Sequence, residues 1–188
     1  MKREYKILLI AGFVCNFAEN LMGPFYAIFV QKIGGGILTI GYSTTIYMLA
    51  TGLLIIAIGK LSDSWSKEWI TTCGYAIFAL SATGYIFISH PWQLFVIQII
   101  SAFGTACLSS PLTSLMSHNI NKEHEGFQWA LEGGGDKIVT GLAVLAGTFL
   151  VKYLGFNILF LIIFIFDLTA VLIQLQLIIN NRKIIKIS

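Results

Sequence analysis

Six long apolar stretches alternate with short polar breaks along this chain, at about residues 7–30, 37–58, 70–88, 92–114, 127–151 and 156–180. A bilayer core of about 30 Å asks for about 20 apolar residues per helix, so each stretch predicts a transmembrane helix. The breaks carry glycine, proline and charge, as in Lys32-Ile-Gly-Gly-Gly36, Ser89-His-Pro91 and Lys152-Tyr-Leu-Gly155. The expected fold class is therefore an all-α integral membrane protein, with residues 1–188 forming one six-helix transmembrane domain. The fifth stretch departs most from the pattern, because its first half holds Glu132, Asp136 and Lys137.

Composition agrees with a lipid environment. Of 188 residues 56% are hydrophobic and 11% charged, against about 25% charged in a typical soluble domain. A water-soluble fold of this length cannot hide so much apolar surface. The net charge of +3 is too small to point to nucleic acid. Cys15, Cys73 and Cys107 sit in apolar stretches without CxxC spacing and read as small core residues. The first stretch is too long for a cleavable signal and continues through Glu19 and Asn20.

The placement of basic residues predicts orientation. With a cytoplasmic N-terminus, Lys2, Arg3, Lys6, Lys60, Lys67, Lys122, Arg182, Lys183 and Lys186 lie inside, and only Lys32 and Lys152 lie outside. Both ends of the chain are then cytoplasmic, in the cell membrane. Trp92 and Trp129 fit interfacial anchors. The stretches also divide into two three-helix units of similar length. An odd number of crossings makes the second unit enter from the opposite side, which is the layout of an inverted repeat.

Polar residues inside a span are costly, about 2.5–3.5 kcal/mol for a charge on insertion scales, and so face a cavity or a partner. On span one Gly12, Asn16, Glu19, Asn20 and Gly23 share one helical face, with Glu19 near mid-depth. On span four Gln98, Ser101, Thr105 and Ser109 form a second stripe, compatible either with a polar lining or with close helix packing. On span five Glu132, Asp136 and Thr140 form a third, with Lys137 beside Asp136 as a candidate ion pair. Asp167 stands alone midway along span six, where a contact with another helix or chain is expected. Span three, with only Ser81 and Thr83 in its interior, reads as lipid-facing scaffold. Desolvation disfavours the charged form of a carboxyl group, which lets a buried acid load and release a proton. The candidate coupling residues are thus Glu19 first and Asp136 second, with Asn16, Asn20, Glu132, Lys137 and Gln98 around them. No metal, cofactor or catalytic constellation is expected. HExxH, GxSxG and a phosphate loop are absent, and His90, His118 and His124 do not cluster.

The loop after span two reads Gly59-Lys-Leu61-Ser-Asp63-Ser-Trp-Ser66-Lys67-Glu68. It resembles the signature of the major facilitator superfamily at the same place, Gly-x-Leu-Ala-Asp-x-x-Gly-Arg-Lys. Gly59, Leu61 and Asp63 match, Lys67 matches conservatively, Ser66 replaces glycine and Glu68 replaces a basic residue. The stretch from Ser110-Pro111 through Glu125-Gly126 is similar to the family's connection between its fourth and fifth helices. The resemblance implies one six-helix half of a twelve-helix transporter, the N-terminal half, in which the first, second, fourth and fifth helices line a central cavity. It also implies that Asp63 bonds to helix ends and holds the cytoplasmic side closed. A plain helix cap at Ser62–Asp63 is compatible with that contact. The family's proton-coupled drug exporters carry Leu-x-x-x-Arg in span four, where this chain has Leu94 and Gln98. Their Gly-Pro pair in span five falls on Ala143-Val144, with Gly147 the one glycine kept of those that follow.

These features lead to a secondary transporter for a small solute, coupled to protons or another ion, working by alternating access in a parallel homodimer of half-transporters. Its expected partners are the lipid bilayer, a second copy of the chain and the solute. Two alternatives stand beside it, a non-transporting membrane module and a separated half of a longer protein. The initial methionine and the short segment after span six suit a complete small protein, and the basic tail Arg182-Lys183…Lys186 suits the start of a longer one. In a variant lacking the native cysteines, a cysteine at Lys60 or Lys122 should react with an impermeant reagent from the cytoplasmic side only and should cross-link between copies. Labelling from both sides of the membrane would refute the common orientation.

Overall fold

The computed structural model describes the backbone of residues 1–185 and the side chains through residue 179. The side chains of Arg182, Lys183 and Lys186, used above for orientation, lie outside the described residues. Seven α-helices account for most of the chain: α1 Arg3–Met22, α2 Tyr26–Lys32, α3 Ile37–Ser62, α4 Lys67–Ile86, α5 Pro91–Asn119, α6 Glu125–Tyr153 and α7 Gly155–Ile185. Short 3₁₀ turns at Gly23–Phe25 and Lys122–His124 lead into α2 and α6. Among the described residues, five helical segments are long and apolar enough to cross a bilayer: Arg3–Lys32, Ile37–Ser62, Pro91–Asn119, Lys122–Tyr153 and Gly155–Ile179. The α4 helix is not among them, since Thr71, Thr72, Ser81 and Thr83 dilute its apolar character.

Local chemistry explains the breaks. Pro24 has no N–H to give to the carbonyl of Asn20, so the first span breaks into α1 and α2 through the 3₁₀ turn. Gly34, at φ 84°, reverses the chain after α2. Gly155, at φ 79°, lets α7 begin two residues after α6 ends. Pro91 opens α5, where the Gln93 side chain accepts hydrogen bonds from the backbone N–H groups of Ser89 at 2.8 Å and His90 at 3.0 Å. At the start of α4 the capping side chain is Ser66, whose Oγ accepts from the Trp69 N–H at 3.4 Å. The Ser62 hydroxyl instead donates back to the Gly59 carbonyl at 2.7 Å. The cap expected at Ser62–Asp63 therefore lies at the other end of the loop.

The helices pack in a row, α3–α5–α4–α7–α1–α6, with α6 also touching α7 and α1 also touching α5. Phe29 against Phe156, at 5.3 Å between ring centres, and Leu8 with Leu177 in a second cluster show that α7 runs antiparallel to the first span. Position in the row sets burial. α3 and α6, at its two ends, keep most of their side chains exposed, whereas α4 buries Ile70, Tyr75, Phe78, Ala79 and Ala82 between α5 and α7. This corrects the expectation that α4 is lipid-facing scaffold. Its threonines turn inward, donating to their own helix, Thr71 to the Lys67 carbonyl and Thr72 to the Glu68 carbonyl, each at 2.7 Å. Its Gly74 lies so close to α5 that an added Cβ would meet Leu108 at 2.8 Å and Cys107 at 2.9 Å. Small residues at such crossings let backbones approach, which is the main source of helix association in lipid.

The tightest crossing joins α1 and α6. A Cβ on Gly147 would strike the backbone carbonyl of Leu21, an atom that cannot swing aside. Gly147→Ala should therefore cost about 1–3 kcal/mol of overpacking, outweighing the roughly 1 kcal/mol that alanine returns in helix propensity. Gly141→Ala, with nothing within 4 Å of the new methyl, should leave stability unchanged or raised. Thermal unfolding in detergent separates the two, and equal melting temperatures would contradict the close crossing.

Candidate functional site

The row curls around a cavity of about 550 Å³. The first span lines it with Glu19, Asn20, Met22, Gly23 and Tyr26, spanning the break in that helix. Thr44, Tyr47 and Met48 come from α3, Ser81, Ala82 and Tyr85 from α4, Gln98 and Ser101 from α5, and Phe160 and Ile163 from α7. Thr44 and Met48 are exposed, so the cavity opens past α3. Its apolar side is built by stacked rings, Tyr85 on Phe160 at 5.0 Å between centres, with Phe29 edge-on to both.

A hydrogen-bond network fixes the polar side. Gln98 donates from Nε2 to the Tyr26 hydroxyl at 2.7 Å, Tyr26 donates to Ser43 Oγ at 2.6 Å, and Ser43 donates to the Ile40 carbonyl at 3.0 Å. The chain of donors locks α5 to the first span and to α3. Tyr47 and Thr105 share a hydrogen bond of 2.8 Å across α3 and α5. The stripe expected on span four thus divides. Gln98 and Ser101 face the cavity, Thr105 ties two helices together, and Ser109 donates to its own helix at the Thr105 carbonyl.

Glu19 is exposed to the cavity, and its carboxylate has no hydrogen bond or ion pair among the described residues. Asp136 has a different setting. It accepts a hydrogen bond from Asn16 Nδ2 and an ion pair from Lys137 at 3.1 Å. Asn16 Nδ2 also reaches the Asp136 carbonyl at 3.2 Å and Thr140 at 3.3 Å, and its Oδ1 accepts from Asn20. Asp136 lies outside the cavity lining but is joined to it through Asn16 and Asn20, because Asn20 stands in the wall. Lys137 is 82% exposed and Glu132 is half-buried, both on α6 and away from the cavity wall. The structure therefore unites Glu19, Asn20 and Gln98, links Asp136 to them through Asn16, leaves Lys137 exposed, and keeps Glu132 half-buried outside the cavity lining.

The loop motif lies elsewhere, at the end of α3 and the start of α4. Asp63 is exposed and its side chain meets no partner among the described residues. Gly59 faces Ser110 of α5, whose Oγ would stand 3.4 Å from an added Cβ. Leu61 is 41% exposed and Lys67 is half-buried. The helix-end partner that the family resemblance implies for Asp63 is not supplied within the described residues.

Tyr26, Ser43, Tyr47, Ser81 and Tyr85 belong to the site although the sequence stripes did not include them. Tyrosine reads as apolar in a span, so its hydroxyl goes unnoticed. The available signal was Ser43, Thr44, Tyr47 and Thr51 along one side of span two.

Comparison with known proteins adds an independent observation. The family model for the Major Facilitator Superfamily matches residues 8–183. Over 119 residues the chain is 25% identical to an uncharacterized MFS-type transporter of Methanocaldococcus jannaschii, covering 61% of this chain and 31% of that protein. Over 127 residues it is 23% identical to a protein of Lactococcus lactis subsp. lactis described as a multi-drug resistance efflux pump PmrA homolog, covering 62% and 30% respectively. The matched part spans about a third of the length of these curated relatives.

Proposed function

Because this chain belongs to the major facilitator superfamily, we propose that it forms one six-helix half of a secondary active transporter for a small solute, with Glu19 as the proton- or ion-coupling carboxylate. The observation that carries this reading is the free carboxylate of Glu19 standing in a 550 Å³ cavity beside a break in its own helix. Broken helices at a binding site are a device of transporters, since they free backbone groups and permit bending. The relatives named as transporters agree with the class, and the efflux pump homolog among them makes export one direction to test. The α4 helix completes six crossings, which keeps both ends of the chain on the cytoplasmic side of the cell membrane.

Two features support a second half. Lys137, 82% exposed on α6 at the open end of the row, is costly against lipid. Asp63 likewise has no partner among the described residues. Another half, a second parallel copy or the remainder of a longer protein, would cover both, and closed twofold pairing is the common outcome for identical subunits. The alternative of a non-transporting module predicts that both acids pair off inside one chain. Asp136 does so, but Glu19 does not. The order of the row also supports an inverted repeat. Let the first span, α3 and α4 be one unit and α5, α6 and α7 the other. Exchanging them turns α3–α5–α4–α7–α1–α6 into its own reverse.

In proteoliposomes, with a substrate found by binding screens, Glu19→Gln should abolish the dependence of transport on an imposed pH gradient while leaving insertion and folding intact. Full gradient-driven transport in that variant would make the carboxylate structural. Asp136→Asn should weaken the same dependence less, because Asp136 reaches the cavity only through Asn16 and Asn20. The loop motif Gly59, Leu61, Asp63 and Lys67 acts in this reading as the cytoplasmic gate. Asp63→Asn should raise the labelling rate of a cysteine placed at the exposed Thr113 of α5, and an unchanged rate would reduce the motif to a turn.

A further inference from the structure

Behind the cavity wall lies an acid that the coupling scheme above does not use. On α7 the positions Phe160, Ile163, Asp167, Ala170, Gln174 and Leu177 recur at helical spacing, and the described surroundings bury them on one inward face. Phe160 and Ile163 touch the cavity. Asp167 comes one helical turn further on, about 6 Å along the axis at 1.5 Å per residue. It is 0% exposed, and neither carboxyl oxygen accepts a hydrogen bond from a nitrogen or oxygen donor.

Its neighbours are named by the order of the row, in which α7 sits between α1 and α4. Phe17 packs on Phe166 at 5.0 Å and Ala18 clusters with Ile163, a register that brings this part of α7 to the stretch of α1 that holds the buried Cys15, a weak donor, and, one turn on at the cavity, Glu19. From α4, Tyr75 clusters with Cys15 and with Ala170 of α7, and its buried hydroxyl is also without a hydrogen-bond partner among the described residues. The charged groups of α6 have their contacts elsewhere, Asp136 and Lys137 with each other and Asp136 with Asn16. Among the described residues no lysine, arginine or histidine pairs with Asp167. A charge in such a place is costly without a partner, so the packing accepts the neutral acid. The unpartnered polar groups continue past it. Gln174, two turns further along α7 toward the end of the bundle that holds the N-terminus, is 0% exposed with both amide atoms unpaired. Tyr75 stands six residues before the cavity residue Ser81 on α4.

We propose that Asp167 is a second proton-binding site, one turn behind the cavity, that exchanges a proton with Glu19 beside the unpartnered Tyr75 hydroxyl. The proposal rests on the coupling role given to Glu19. In the exchange the O–H bond of one carboxylic acid breaks as an O–H bond forms on the other carboxylate. One proton moves, the pair keeps one negative charge, and no other reactant is needed.

Infrared difference spectroscopy of the purified protein in lipid tests this without a known substrate, since protonated buried carboxyl groups give separate carbonyl bands that move in deuterium oxide. Wild type should show one such band for each acid, each of partial intensity because the pair shares one proton, and both exchanging. Asp167→Asn should remove one of them. Asp167→Glu should restore it at a displaced frequency, which secures the assignment even if the asparagine variant fails to fold. In Glu19→Gln the Asp167 band should remain while its exchange slows by about tenfold or more, the loss expected when a positioned proton-transfer group is removed. Tyr75→Phe should slow it while leaving the Glu19 band intact. Absence of an Asp167 band in wild type, or exchange at Asp167 that is unchanged in Glu19→Gln, would overturn the proposal. A failure of the coupling role itself appears separately, as gradient-driven transport that survives Glu19→Gln.

Discussion

Lipid gives helices no hydrophobic reason to associate, so everything in this fold depends on how closely α7 is held between α1 and α4. That hold is made of shape. Phe29, Tyr85, Phe156 and Phe160 stack at the end of the bundle away from the N-terminus, and Leu8 and Leu177 meet at the other. Between them Ala18, Ala82 and Ala170 leave room for backbones to approach. With α7 in place the other helices follow in sequence along the row, α4 holding α5, α5 holding α3, and α1 holding α6. The cavity is the space left on one side of this arrangement.

Much of this was legible in the sequence, for a physical reason. Apolar runs, basic loops and mid-span carboxylates are properties of one segment against lipid, and each can be read without knowing its neighbours. Glu19 stood out because lipid cannot accept it, and it proves to face a cavity. Pairings across the bundle could not be read in this way. Asn16 finds Asp136 at a separation of 120 residues, and nothing in either segment names the other. The α4 helix was misjudged for a related reason. Its hydroxyl residues look too few for a polar face, yet Thr71, Thr72 and Gly74 matter as small, self-satisfied groups at a close crossing. The tyrosines were missed because a phenol is mostly ring, and only the fold shows which hydroxyl finds a partner.

The two ends of the row carry the unfinished chemistry. α3 and α6 expose most of their side chains, and Lys137 of α6 stands 82% exposed there. Among the described residues, the buried side-chain polar atoms left without a partner lie on α4 (Tyr75 and Ser81), on α7 (Asp167 and Gln174) and on α3 (Thr51). The family match runs over nearly the whole chain, and the curated relatives are about three times as long as the part that matches.

The break at Gly23–Phe25 has a mechanical meaning once its surroundings are considered. Just before it, Leu21 is clamped by Gly147 of α6, and just beyond it, Tyr26 is tethered to α3 and α5 through Ser43 and Gln98. The first span is therefore two levers sharing a joint, each fastened to a different neighbour. A tilt of α3 and α5 would reach the segment beyond the joint through Tyr26, and Glu19 lies one turn before that joint, on the segment clamped to α6.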